Sequence, residues 1–144
     1  MMAIIHQESR FVHNARPDRK WFLFIPLPRQ SSAFGYAQAQ DPAWHEYRLA
    51  TRSLGADRDS FEDAIDFVGW YTDVTQKRLG TSKWDAYTQY LAYHEGRTGY
   101  QRGAWKKKPW LKSVANKVKH RAATYGGQLK RCKNELDDEI DGWF

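Results

Sequence analysis

Cysteine and long apolar runs are scarce in this chain. Cys132 is the single cysteine, so an intrachain disulfide is excluded, and we expect this side chain to pack inertly in a helix. No apolar run approaches the ~20 residues that a membrane-spanning helix needs. The apolar residues 1–5 lack the preceding basic residues of a secretory signal. They resemble the middle of a helix, so we expect a further segment, which would carry any targeting signal, upstream of Met1.

The sequence also lacks internal repeats, low-complexity tracts and, outside one short stretch, any period-two pattern. A single domain fits its 144 residues. What it has in excess is aromatic rings, with 7 Trp, 8 Tyr and 7 Phe, and positive charge, with 23 Lys and Arg against 17 Asp and Glu. Rings in such numbers fill a core or line a groove for flat ligands. The net charge of +6 favours an anionic partner.

Apolar spacing predicts a mostly α fold with five helices. The first covers residues 1–12 and ends before Pro17, because the residue before a proline avoids the helical region. Capping residues and glycines delimit the others, at Asp41 to Ser53, Asp59 or Ser60 to Gly80, Ser82 to Gly96, and from Pro109 towards Cys132. Phe61, Phe67 and Trp84 are expected in the core, and Leu129 on the apolar face of the last helix.

Prolines interrupt the chain between the first two helices. They flank the apolar run at residues 21–25, which predicts a hairpin or an extended flap over residues 17–34. A glycine-spaced loop is predicted at residues 96–103. We divide the single domain, 1–144, into a motif-bearing core (1–105), a basic helical extension (106–136) and an acidic tail (137–144) that frays.

Three short segments stand out, although each is a weak signal alone. Glu8-Ser9-Arg10-Phe11 ends the first helix, Gly35-Tyr36-Ala37-Gln38 follows the flap, and Ala92-Tyr93-His94-Glu95-Gly96 ends the fourth helix. Taken singly they are typical of a solvated helix-end glutamate, a turn and core packing. Their order, spacing and helical setting together favour a functional site.

In this combination the segments resemble the family 1 lytic transglycosylases, the lysozyme-like domain of soluble lytic transglycosylases. That family has a Glu-Ser motif at a helix end, then a Gly-Leu-Met-Gln segment, then an Ala-Tyr-Asn segment. Glu8-Ser9 and Ala92-Tyr93 match the first and third, and Gly35 and Gln38 match the ends of the second. The chain departs from the family at Tyr36-Ala37 and at His94. The resemblance implies a lysozyme-like fold over roughly residues 1–105, in a divergent branch with its own C-terminal extension.

The resemblance also implies a reaction. The β-1,4 bond between N-acetylmuramic acid and N-acetylglucosamine would be cleaved without hydrolysis, with no cofactor and no metal. Glu8 would protonate the glycosidic oxygen and then take the proton of the muramyl C6 hydroxyl, which attacks C1 and leaves a 1,6-anhydro ring. A glutamate can act as the acid near neutral pH when burial raises its pKa. Ile4, Ile5 and Phe11 are consistent with such apolar surroundings.

Further residues near the motifs are expected to contact the sugar. Tyr93 would orient Glu8 or bind the sugar at the cleavage point, or else be a core tyrosine. Gln38 would bond an acetamido group or the groove backbone, Ser9 would hold the helix end, and Tyr36 would stack on a pyranose face. Phe11, Phe34 and Tyr90 are expected as additional flat faces. The predicted substrate-binding set is Ser9, Tyr36, Gln38, Tyr93, His94, Glu95 and Tyr100.

Glu95 has no family role to inherit. It is either a second carboxylate in the groove or, the interpretation we favour here, a solvated helix-end residue. His94-Glu95 also resembles the start of a zinc-protease motif, which needs a second histidine four residues after the first. Position 98 is Thr, so no metal site is predicted.

Basic residues dominate the stretch from Lys106 to Arg131. Alone they are typical of a nucleic-acid binder with Trp105 or Trp110 stacking on bases, of a solvated helix face, or of a helix held at an anionic envelope surface. The three motifs favour a peptidoglycan enzyme, and the resemblance implies that it acts in the periplasm or cell envelope. We expect a monomer with no nucleic-acid partner. A hydrolytic lysozyme of the same fold and a non-catalytic peptidoglycan-binding module are the alternatives.

Overall fold

The computed structural model describes residues 1–18, 21–22, 25–26 and 31–141, and in these ranges the protein is mostly helical, as predicted. Its elements, in chain order, are α1 (Met2–Ser9), β1 (Trp21–Phe22), β2 (Ile25–Pro26), α2 (Asp41–Thr51), α3 (Phe61–Leu79), α4 (Ala86–Gln101), a 3₁₀ helix (Ala104–Lys107) and α5 (Pro109–Asp141). β1 and β2 form an antiparallel pair, with Trp21 opposite Pro26 and Phe22 opposite Ile25. The remainder of the predicted flap, at residues 19–20, 23–24 and 27–30, lies outside the described residues.

α2 and α3 lie close to their predicted positions because their ends carry strong local signals. The Ser60 side chain caps α3 by accepting a hydrogen bond from the backbone N–H of Asp63. Gly80 ends α3 in the left-handed conformation, with φ 69°, which glycine adopts without steric cost. The N-cap of α2 is Gln40 rather than Asp41, so this boundary differs from the prediction by one residue.

α1 ends at Ser9 and not at residue 12 as predicted. Arg10 and Phe11 both adopt left-handed backbone conformations, with φ 53° and 65°, which a helix cannot continue through. The Arg10 N–H donates to the His6 carbonyl and closes the last turn. The chain therefore turns away directly after the Glu8-Ser9 pair.

α4 differs from the prediction at both ends. Asp85 is its N-cap and accepts the backbone N–H of Thr88, so the helix begins after Trp84 and not at Ser82. Gly96 has φ 72° and ψ 155° and introduces a kink, but the helix continues beyond it to Gln101. The predicted glycine-spaced loop at residues 96–103 is therefore mostly helical.

α5 extends to Asp141, beyond the expected end near Cys132, and so includes most of the acidic tail. Residues 142–144 lie outside the described part. Residues 126–133 are exposed on all sides, because this half of α5 extends past the helices that it packs on. Leu129 is accordingly exposed, and so is Cys132, contrary to the prediction for both.

The core forms where α4 packs against α3 and α5, and α1 against α5. Its largest fully buried side chains include Ile5, Tyr47, Phe67, Leu91 and Leu111. No helix in the described ranges is long and apolar enough to cross a bilayer.

Two of the three aromatic residues predicted for the core lie elsewhere. Phe67 is buried as expected, but Trp84 is 94% exposed and Phe61 is 40% exposed. Trp84 precedes the N-cap of α4, so the helical spacing that suggested its burial does not apply to it. Phe61 lies in the first turn of α3, where its ring packs edge-on against Tyr36.

Candidate active site

Glu8 lies one turn after Ile4 and Ile5, which anchor α1 in the core. Its carboxyl group is enclosed at the end of the helix. This burial raises the pKa of Glu8 from 4.5 to about 7, and a hydrogen bond from Tyr90 opposes the rise. A carboxyl group with such a pKa is present in both protonation states near neutral pH. It is therefore suited to donate a proton and then to accept one.

Two tyrosines of α4 lie around the Glu8 carboxyl group. Tyr90 is 4% exposed and donates a hydrogen bond to it. Burial and then the Glu8 charge raise the pKa of Tyr90, and the same two causes, in the same order, raise that of Tyr93. Both hydroxyls therefore stay protonated and available as donors. The sequence predicted a contact with Glu8 only for Tyr93, although Tyr90 precedes it by three residues on the same helix face.

The Gly35-to-Gln38 segment forms a turn that is closed by a bridge between Phe34 and Ala39. Gln38 has φ 49°, and its side-chain nitrogen donates to the carbonyls of Ala15, at 2.8 Å, and Gly35, at 2.9 Å. Both N–H groups of the amide are thus used on the backbone. In this structure Gln38 holds the turn to the segment that follows α1.

A hydrogen bond joins the second and third motifs. The Tyr93 hydroxyl donates to the Ala37 carbonyl at 2.7 Å. The Tyr93 ring also packs edge-on against Tyr71, with ring centres 4.9 Å apart. Tyr93 is therefore fixed from two sides while it lies beside Glu8.

Tyr93→Phe is expected to destabilise the protein by about 1–3 kcal/mol, because it leaves the buried Ala37 carbonyl without its donor. Urea unfolding measures this loss. Tyr87→Phe is the matched control on the same helix: no hydrogen bond of the Tyr87 hydroxyl is found among the described residues, and the expected change is within about 0.5 kcal/mol. Equal unfolding free energies for the two variants would contradict the assigned role of the Tyr93 hydroxyl.

A cavity of about 260 Å³ lies beside Tyr93. It is lined by Gln38, Ala39, Gln40, Pro42, Ala43, Phe67, Tyr71, Tyr93, His94, Glu95 and Gly96. The second and third motifs thus meet at this cavity, next to the start of α2 and the middle of α3. Glu8 is not among the lining residues. Tyr93 connects the two places, because it lines the cavity and lies close enough to Glu8 for that charge to raise its pKa.

Glu95 is not solvated, contrary to the interpretation favoured above. Its side chain is 5% exposed, and Oε1 accepts from Lys108 Nζ at 2.7 Å and pairs with His94 Nδ1 at 3.1 Å. Burial alone would raise the pKa of Glu95, but the hydrogen bonds and charges of Lys108 and His94 together lower it. Glu95 is thus an ionised carboxylate at the cavity. In the described ranges, no three or more His, Cys, Asp or Glu residues are grouped to hold a metal ion.

The remaining predicted contact residues are dispersed. Ser9 is buried and its hydroxyl donates to the Ile5 carbonyl at 3.3 Å, which holds the helix end. Tyr36 packs on Phe61 and does not line the cavity. Tyr100 stacks on Trp105, with ring centres 5.8 Å apart, and lies away from the cavity as well.

A family model described as transglycosylase SLT domain matches residues 1–132 of the chain. The matched range includes all three motifs and the basic part of α5. No curated protein and no solved structure matches the chain. The family model agrees with the resemblance carried by the Glu-Ser, Gly-to-Gln and Ala-Tyr segments, and with the helical fold that brings them together. The protein belongs to the transglycosylase SLT domain family, whose members act on the glycan of peptidoglycan.

Proposed function

We propose that the protein is a lytic transglycosylase that cleaves the β-1,4 bond between N-acetylmuramic acid and N-acetylglucosamine in peptidoglycan and forms a 1,6-anhydro end. The observation that carries this proposal is the Glu8 carboxyl group, whose burial raises its pKa to about 7. It supports one carboxyl group serving as acid and then as base. The family membership supports the substrate class.

Glu8 begins the reaction protonated. It gives its proton to the oxygen that leaves with N-acetylglucosamine, while the bond from that oxygen to C1 of N-acetylmuramic acid breaks. The C6 hydroxyl of the same muramyl residue then attacks C1, and its proton goes to the Glu8 carboxylate. The proton count is restored at the end of the cycle, and water takes no part. A second carboxylate, which hydrolytic glycosidases of the common type require, is not needed.

Tyr90 and Tyr93 act as positioning residues for Glu8. The Tyr90 hydroxyl donates to the carboxyl group and favours its ionised form, the form that has to accept the C6 proton. Tyr93 keeps the second motif beside α4 through Ala37. Tyr90 thus limits how far burial raises the pKa of Glu8, and the two tyrosines together limit where the carboxyl group can move.

The activity of the enzyme is expected to fall as the pH rises through about 7, because Glu8 then loses the proton that it must donate. Tyr90→Phe removes the hydrogen bond that lowers the pKa of Glu8. The alkaline limb of the profile of kcat/KM against pH should therefore move to higher pH. Tyr87→Phe, on the same helix, should leave the limb in place. A shift of the limb to lower pH in Tyr90→Phe would contradict the assigned hydrogen bond.

The muropeptides that the enzyme releases from purified sacculi test the proposal. Transglycosylation gives muropeptides that are lighter by one water than hydrolysis products, and their anhydro ends resist reduction by borohydride. Mass spectrometry before and after borohydride treatment measures both properties. If the main products have reducible, hydrated ends, the assignment as a transglycosylase is overturned and a hydrolytic muramidase is favoured. The absence of any cleavage by folded protein would favour the binding module.

We also propose a role for the basic residues from Lys106 to Arg131. α5 buries Leu111, Ala115 and Val118 against the core, while Lys117 and Lys119 are exposed. Such a helix face suits an anionic envelope surface. It would hold the enzyme near its substrate in the periplasm or cell envelope.

A further inference from the structure

A large aromatic side chain lies exposed next to the cavity. Trp110, in the first turn of α5, is 55% exposed. Its ring packs edge-on against His94, with ring centres 5.2 Å apart and an angle of 78° between the planes. His94 also lines the cavity. The surface of the cavity therefore continues through His94 to the Trp110 indole.

A charged pair holds this arrangement in place. Lys108, two residues before Trp110, reaches back to Glu95 on α4 with an Nζ–Oε1 distance of 2.7 Å. Glu95 lies directly before the Gly96 kink, so the pair ties the kink to the start of α5. His94 contacts the same Oε1 atom at 3.1 Å. Among the described residues, no hydrogen bond is found for the other carboxylate oxygen of Glu95, and Glu95 lines the cavity.

We propose that Trp110, His94 and Glu95 form a saccharide subsite, which receives a sugar ring of the glycan strand at the edge of the cavity. This inference rests on the proposed function and extends it to a specific part of the strand. The flat C–H face of a pyranose packs on an indole ring, and the sugar hydroxyl and acetamido N–H groups are donors for a carboxylate. The three side chains offer both kinds of contact along one path.

Binding of glycan strands without turnover tests the subsite. The strands are prepared from sacculi, stripped of peptides and separated by length, and the protein carries Glu8→Gln so that they stay intact. In this background Trp110→Ala should weaken binding of long strands about tenfold and leave the shortest strands unaffected. Trp110→Phe should restore most of the loss, because a ring remains. Calorimetry measures the dissociation constants, and circular dichroism verifies the fold of each variant.

Trp84→Ala is the matched control, since Trp84 is more exposed than Trp110 and lies before α4, whereas Trp110 lies in α5. It should leave binding of all lengths unchanged. Three outcomes would overturn the subsite: no loss in Trp110→Ala, an equal loss for every strand length, or an equal loss in Trp84→Ala. The products of the wild-type enzyme decide the proposed function separately. If Trp110→Ala loses binding only for long strands while the wild-type enzyme gives hydrated products, the subsite stands and the assignment as a transglycosylase is overturned.

Discussion

Glu8→Gln should lower kcat/KM for cleavage of peptidoglycan by roughly 10²- to 10⁴-fold, towards the upper end because Glu8 is both acid and base. The amide cannot give a proton to the leaving oxygen or take one from the C6 hydroxyl. Release of soluble muropeptides from sacculi measures the loss. Glu62→Gln is the matched control: Glu62 is exposed in the first turn of α3 and should retain activity within about twofold.

The stability of Glu8→Gln shows whether Glu8 is buried as described. The pKa of Glu8 is about 7 in the folded protein and near 4.5 in the unfolded chain, so the folded state binds the proton more tightly. Glu8 therefore lowers stability as the pH rises from about 4.5 to 7, and the full cost above that range is roughly 3 kcal/mol. Glu8→Gln should be more stable than wild type at pH 8, with little difference at pH 4. A folded Glu8→Gln variant with full activity would contradict the assignment of Glu8.

Gly35→Ala should destabilise the protein by about 3 kcal/mol or more. Gly35 has φ 77°, and a Cβ atom there would lie 1.9 Å from the backbone carbonyl oxygen of Arg58. That oxygen also accepts the Tyr36 N–H at 3.2 Å, so it cannot move without breaking the turn. Thermal or urea unfolding measures the loss. Activity should fall as well, because the turn carries the Ala37 carbonyl that holds Tyr93.

Gly55→Ala provides the comparison for this substitution. A Cβ atom on Gly55 meets nothing within 4 Å. The unfolding free energy of Gly55→Ala should differ from that of the wild type by less than about 1 kcal/mol. A small gain in stability is expected, because alanine restricts the unfolded chain. Similar stabilities of the two variants would show that the turn is not packed against Arg58 as described.

Local signals in the sequence were sufficient for the helices whose ends are capped. Ser60 and Gly80 delimit α3 through their own hydrogen bonding and backbone preferences, so its range was predicted without knowledge of the rest of the fold. The proximity of Tyr93 to Glu8 required the family resemblance, because the two residues are 85 positions apart and no periodicity relates them.

The errors arose where a contact between distant parts of the chain decides the outcome. Glu95 was expected in solvent because it lies at the end of a helix that was predicted to stop at Gly96. Lys108, thirteen residues later, pairs with it only because α4 continues through the kink and returns the chain at the start of α5. Trp84 was placed in the core because a helix was predicted to begin at Ser82, and helical spacing then puts Trp84 on its apolar face. The spacing is irrelevant because Asp85, and not Ser82, begins the helix.

Tyr90 illustrates a signal that was present but incomplete. It lies on the same face of α4 as Tyr93, which placed it beside the groove. Its hydrogen bond to Glu8 depends on how α1 approaches α4, and this approach is set by Ile4 and Ile5 in the core. Sequence periodicity gives the face of a helix, but the partner of that face depends on tertiary packing.

The central claim, that the muramyl C6 hydroxyl and not water takes the place of the leaving group, is tested most directly by isotope labelling. Purified sacculi are digested in water labelled with heavy oxygen, and the released muropeptides are analysed by mass spectrometry. The account predicts 1,6-anhydro products without the label, and their formation should cease in Glu8→Gln. Heavy oxygen at C1 of the released N-acetylmuramic acid would contradict it.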